Sequence, residues 1–318
     1  MNHATAEWSA SKEPSVGTSA PLRSLLVPID LTPRSDRVLG RIAQLPLAHD
    51  ARVTLLHVIP RQPHAEDQRA AERHARRALA HETRHLAESL GRGIRLESLV
   101  TSAGSAPGEI AARARAAQAD LIVMGRDGGS ALRDTFLGST AERVIRGSKL
   151  PVLVVRLAPR AAYRRPALAL DLEQDAHAVL ALMFRVMGPP RPTVQVIHAF
   201  DAPYHGLVYP SVPDSLAEER LHRLQLEASH RLSALLAASL GRLKVAPEHV
   251  PFWSHHVRFG PPRAVIRDAV QRADTDLLVL GTHGYSGVAH IVLGTVAGDV
   301  LRDVASDVLI VPPAAQKE

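Results

Sequence analysis

One pattern occurs twice in this chain. It reads DLIVMGRDGGSALRDTFLGSTAERVIRGSKLPVLVV from Asp120 and DLLVLGTHGYSGVAHIVLGTVAGDVLRDVASDVLIV from Asp276. Each copy starts with a short apolar run that suits a strand buried on both faces of a parallel sheet. The run enters a Gly-x-x-Gly turn, Gly125/Gly128 or Gly281/Gly284, and nine residues later comes Gly138-Ser139 or Gly294-Thr295. An amphipathic segment and a β-branched run close each copy. Glycines after a strand let the backbone turn tightly and bring bare N–H groups close to an anion. A Ser or Thr at the head of the next helix adds a hydroxyl where negative charge is already favoured. One such motif is weak evidence; two with identical spacing predict a phosphate cradle in each half.

The remainder of the chain repeats around these copies. Ser24–Asp30, Ala51–Ile59 and Ile94–Thr101 read as strands. Helices are expected over Arg37–Leu47, behind a Thr32-Pro33 cap, and over Glu66–Leu90 and Pro107–Gln118. After the segment Leu157–Pro166 the cycle restarts with Ala167–Asp171, Thr193–Phe200 and Val250–Arg258 as strands and Ser215–Leu240 as a helix. Asp30 and Asp171, like His57 and His198, are 141 residues apart, whereas Gly104/Gly260, Gly125/Gly281 and Gly138/Gly294 are 156 apart. The extra residues fall between the second and third strands of the later half, where Ala202–Asp214 reads as a Pro/Tyr loop. A repeat this long means duplicated domains, not a solenoid. The expected layout is a flexible leader at 1–21, a first domain at 22–156, a linker at 157–166 and a second domain at 167–313. Alternating β and α segments predict an α/β fold of two tandem, doubly wound, parallel five-stranded sheets.

In such sheets ligands sit beyond the carboxyl ends of the strands, where the winding reverses. Asp30 or Asp171 at the end of strand one and the glycine turn at the end of strand four therefore share one crevice per half. Asp30 can accept from an adenine amino group or a ribose hydroxyl, or it can cap the following helix. Gly104-x-x-Pro107 and Gly260-Pro261-Pro262 read as plain turns, with positioning of a ribose as the alternative.

Both halves resemble the universal stress protein family, in its ATP-binding, tandem form. The resemblance rests on Gly-x-x-Gly-x9-Gly-Ser/Thr at Gly125–Ser139 and Gly281–Thr295 and extends from Leu22 to Val311. It implies a Rossmann-like fold of the adenine-nucleotide alpha-hydrolase-like kind. It also implies that Asp30 and Val58 hold adenine and ribose, that Met124 lines the pocket, and that Gly125, Gly128, Gly138, Ser139 and Thr140 hold the phosphates. In the second half the matching positions are Asp171, Leu280, Gly281, Gly284, Gly294, Thr295 and Val296. The implied cofactor is ATP, with Mg2+ as its companion ion. Family members commonly dimerise through the final strand, so Val152–Val155 and Val308–Val311 are expected to pair within one chain as an intramolecular pseudo-dimer, with a further homodimer open.

Four departures set the halves apart. Asp127 puts a carboxylate in the first glycine turn. Asp171 is followed by Glu173 and Asp175, and Ala199 stands where a valine is usual. Ser306-Asp307 replaces the usual proline before the last strand. Unequal occupancy of the two sites is expected.

Other chemistries find little support. His81-Glu82-Thr83-Arg84-His85 matches the His-Glu-x-x-His zinc signature, but both histidines oppose the Leu79–Leu86–Leu90 stripe and so face solvent. No Gly-x-x-x-x-Gly-Lys-Ser/Thr and no Gly-x-Ser-x-Gly sequence occurs. The chain has no cysteine, which excludes disulfides and thiolate metal sites and favours a reducing, cytoplasmic setting. A net charge of +6 is spread among acids along helices, so a mixed solvated surface is favoured over nucleic-acid binding. No run approaches the ~18 apolar residues of a membrane span. The resulting expectation is an ATP-binding stress-response regulator acting through nucleotide-dependent conformation or an unidentified protein partner. The alternatives are a slow ATPase or phosphoryl transferase on the same fold and a nucleotide-independent interaction protein.

Overall fold

Strand and helix alternate through both halves of the computed structural model, which describes residues 20–126, 140–201, 214–282 and 294–313. The first half runs β1 (Leu22–Pro28), α1 (Ser35–Ile42), β2 (Leu47–Pro60), α2 (Ala65–Ser89), β3 (Arg95–Ala103), α3 (Ala106–Ala116), β4 (Leu121–Gly125), α4 (Thr140–Ser148) and β5 (Val152–Val155). The second repeats the cycle as β6 (Pro166–Ala169), α5 (His177–Met187), β7 (Val194–Phe200), α6 (Asp214–Leu243), β8 (Trp253–Phe259), α7 (Pro262–Arg272), β9 (Leu277–Gly281), α8 (Thr295–Asp303) and β10 (Asp307–Val311).

The strands form one sheet in the order β3-β2-β1-β4-β5-β10-β9-β6-β7-β8. Each half is a doubly wound parallel sheet of five strands. The two join where β5 and β10 run antiparallel, with Val152 opposite Ile310, Leu153 opposite Leu309 and Val154 opposite Val308. Apart from Asp307 these short strands are apolar, and both are buried, so pairing removes two edges that would otherwise expose unpaired backbone. The expected pseudo-dimer is thus built into the sheet.

Strand sequences explain the two-sided burial. Along β4, Leu121 and Val123 pack in one core cluster while Ile122 and Met124 pack in the other. In β9, Leu277 and Val279 alternate in the same way with Leu278 and Leu280. One core lies under α1, α2, α5 and α6, and the opposite core under α3, α4, α7 and α8. Both contain residues of both halves, so the apolar interior is continuous across the junction.

Several expected boundaries move. Helix α1 ends at Ile42 and not at Leu47, because Pro46 has no N–H and disfavours helix at Leu45. Leu47 instead opens β2 opposite Leu22. In the later half Pro247–His249 form a 3-10 turn and β8 begins at Trp253, not Val250. The Thr32-Pro33 cap is also corrected. The residue at the N-cap is Arg34, whose amide donates to Thr32 Oγ1 at 3.3 Å, and Ser35 opens the helix.

The histidines of the zinc-like sequence are exposed on α2, while Ala75, Leu79 and Leu86 are buried. Among the described residues no three His, Asp or Glu side chains gather as a metal site, and no helix is long and apolar enough to cross a membrane. The loop Ala202–Asp214 falls almost wholly outside the described residues.

Candidate functional site

At the carboxyl ends of β1, β2 and β4 the first half opens into a cavity of about 760 Å³. That size lies within the ~300–1,000 Å³ usual for small-molecule sites. Asp30, Val58, Met124, Gly125 and Thr140 all line it. Five residues from four segments of sequence are therefore brought together as expected, whereas Gly128, Gly138 and Ser139 lie outside the described residues.

Asp30 lines the cavity and ties down the chain that leads into α1 without capping a helix N–H. Its Oδ1 accepts from Thr32 N at 3.1 Å, Thr32 Oγ1 at 2.8 Å and Ser35 Oγ at 2.9 Å, which fixes the approach to α1. All three donors use one oxygen, so Oδ2 keeps its acceptor capacity toward the cavity. Beside it, His57 donates through Nδ1 to Ile29 O at 2.9 Å, since a carbonyl can only accept. Nε2 is left as the ring's other hydrogen-bonding nitrogen. His198 makes the same bond to Leu170 O at 2.9 Å, so the 141-residue spacing marks a structural clasp between strands one and two in each half.

Among the described residues, a Cβ on Gly125 would meet only Val38 Cγ2, at 3.6 Å. Among the described residues, four arginines, Arg34, Arg37, Arg126 and Arg156, border the cavity, with Asp30 the one carboxylate. This wall is cationic, and the chemistry it fits is that of an anion with a polar, hydrogen-bonding body.

Residues absent from the sequence expectation complete the wall. His57, Arg34 and Arg37 belong to the first half, and the paired histidine spacing was the available signal for His57. Val304 and Ala305 come from the second half. They arrive because β10 pairs with β5 and because Arg156, just past β5, donates through its guanidinium to Leu301 O and Val304 O at the end of α8. No local pattern announces that contact.

The second crevice differs in its floor. Gln174 Oε1 and Val179 Cγ2 each lie 3.4 Å from where a Cβ on Gly281 would stand, so a side chain already rests on this turn. Asp171 Oδ1 accepts from Glu173 N at 3.1 Å. The hydroxyls that hold Asp30 have become Glu173 and Ala176. Glu173 pairs with Arg231 at 2.7 Å, and Asp175 pairs with Arg242 on α6. Burial pushes the Asp175 carboxyl up, but the bonds from Arg242 and from His177 N outweigh it and hold the group below its ordinary range. Leu280 is buried like Met124, and Gly294 and Thr295 head α8, with Val296 packed on the core. Next to Gly281, Thr282 Oγ1 is buried without a hydrogen-bond partner among the described residues. Gly284 lies outside them.

The universal stress protein family model matches residues 21–156 and again 162–312. The chain belongs to the universal stress protein family. A universal stress protein of Mycolicibacterium smegmatis is 27% identical over 312 residues, covering 93% of this chain and 99% of that protein. Among solved structures, a universal stress protein from Archaeoglobus fulgidus superposes with a TM-score of 0.64 at 17% identity, over 94% of this chain and 98% of that one. A protein of unknown function from Pseudomonas aeruginosa gives 0.58 at 19% identity, over 92% and 93%. These superpositions establish the tandem fold.

Proposed function

We propose that this universal stress protein binds an adenine nucleotide, ATP foremost, and acts as a nucleotide-responsive regulator in the cytoplasm. The observation that carries this reading is the first cavity, where Asp30, Val58, Met124, Gly125 and Thr140 converge under a cationic rim. Asp30 Oδ2 and the strand-two backbone at Val58 take the ribose and adenine polar groups. Met124 supplies an apolar wall. Gly125 and the head of α4 at Thr140, with Gly128, Gly138 and Ser139, receive the phosphates, and Mg2+ enters on the phosphate oxygens. ATP would then order the glycine loop and shift which surface a partner meets. We assign no catalytic step, because among the described residues the cavity is lined by binding groups.

The two crevices are proposed to be unequal, with the first preferred, because Gln174 rests on Gly281 in the second. Domain limits of 22–156 and 167–313, joined by 157–166, belong to the same proposal. Isothermal titration of nucleotide-free protein with Mg-ATP tests it, in the wild type and in Gly128→Val and Gly284→Val. Loss of the tighter binding in Gly128→Val alone is the expected outcome. Absence of heat in the wild type at millimolar ATP would leave the nucleotide-independent reading.

A further inference from the structure

We infer that Arg37 reads the charge of the ligand's tail in the first crevice, so that affinity rises with the number of phosphates. This inference rests on the nucleotide reading above and adds a specificity-determining residue outside the glycine motif. Arg37 lies in the first turn of α1, next to Val38, the residue that touches Gly125. Its Nη1 donates to Arg156 O at 2.9 Å, just past the end of β5. Since β4 lies between β1 and β5 and Gly125 pairs with Val155, this bond carries the guanidinium across the mouth of the cavity on the glycine-turn side. Arg156 is itself held by Leu301 O and Val304 O, so the anchor is fixed at both ends.

The electrostatics agree. A guanidinium has five N–H donors in a planar fork, and the bond to Arg156 O uses one of them. Among the described residues no carboxylate pairs with Arg37, nor with Arg34 three positions earlier. Among the described residues Arg37 thus keeps donors and a charge that no carboxylate neutralises at the rim of a cavity, where phosphate oxygens are the complementary chemistry.

The second half contains an internal control. At the spacing that relates Asp30 to Asp171, Arg37 becomes Ala178 and Arg34 becomes Asp175. Two positive positions of the first crevice are therefore neutral and acidic in the second. Discrimination by phosphate number belongs to the first crevice alone.

Titrating the full chain with ATP, ADP and AMP, in the wild type and in Arg37→Ala, Arg37→Gln and Arg37→Lys, tests this directly. The tighter site should weaken in the order ATP, ADP, AMP. Arg37→Ala and Arg37→Gln should lose about tenfold for ATP, the scale of one hydrogen bond to a charged group, and less than about twofold for AMP. Arg37→Lys should retain most of the ATP preference. Equal losses for all three nucleotides, or none, would overturn the role of Arg37 while leaving nucleotide binding in place. A wild type that binds none of the three would remove both. Melting temperatures of the variants close to wild type separate a binding effect from a folding one.

Discussion

Arg41 Nε lies 3.1 Å from Asp307 Oδ2, with the two side chains 4% and 0% exposed, although 266 positions separate them in the chain. Asp307 also accepts from Tyr163 OH at 2.7 Å, Arg156 N at 2.8 Å and Leu157 N at 2.9 Å. The Arg41 guanidinium sits 4.0 Å above the Tyr163 ring and donates to Ala161 O at 3.0 Å. One carboxylate thus fastens α1 of the first half, the segment between the halves and the start of β10. It stands where the first half has Pro151. A homodimer would carry the same residue at both positions; a tandem chain is free to make one of them an acid.

Removing this acid should be costly. Burying an ion pair gains little against an apolar replacement, but breaking one strands the other charge and costs about 3–5 kcal/mol. Asp307→Ala should therefore lower the urea midpoint sharply. Arg41→Met combined with Asp307→Ala should recover part of that loss, because no buried charge remains. A double-mutant cycle in urea reads both effects, and a small loss for Asp307→Ala would show that Arg41 finds water instead.

The same cluster predicts an alkaline signature. Burial, then the neighbouring Asp307 charge, push the Tyr163 phenol well above its ordinary value, against the pull of Arg41. A group whose folded pKa is raised contributes stability that is complete below the unfolded value and disappears as pH rises past the folded one. Above about pH 10 the unfolded chain releases the Tyr163 proton while the folded chain keeps it. The stability advantage of wild type over Tyr163→Phe should be constant up to that pH and shrink beyond it. Denaturation curves of the two proteins from neutral to alkaline pH measure the difference.

Gly125 separates folding from binding. Its backbone does not need a left-handed conformation, and a Cβ there makes one ordinary contact with Val38. Gly125→Ala should leave stability within about 1 kcal/mol of wild type, since alanine also restricts the unfolded chain. In the proposed site the added methyl stands where the backbone would approach a phosphate, so ATP affinity should fall by about tenfold. Unchanged affinity in a folded Gly125→Ala protein would move the phosphates away from this turn.

Much of the architecture was legible because it is written locally. Alternating strands and helices, the two-faced apolar runs of β4 and β9, and the burial of Leu79 and Leu86 opposite His81 and His85 follow from periodicities of two and 3.6 residues. The strand order placed Asp30 and the glycine turn at Gly125 in one crevice, and the family resemblance added Val58, Met124 and Thr140. The same resemblance pointed to the β5–β10 pairing. What the sequence concealed is non-local. Pro46 shortened α1 through a steric effect that helical periodicity does not register. Asp307 looked like a missing proline, and its three bonded segments become neighbours once β5 and β10 pair antiparallel. Val304 and Ala305 enter the first cavity, and Gln174 rests on Gly281, through side-chain packing between distant segments. Chain pattern determined which elements form and which strand ends carry the glycine turns. The tertiary structure decided what lines each crevice, because that depends on packing and charge pairing between segments whose proximity only the folded register creates.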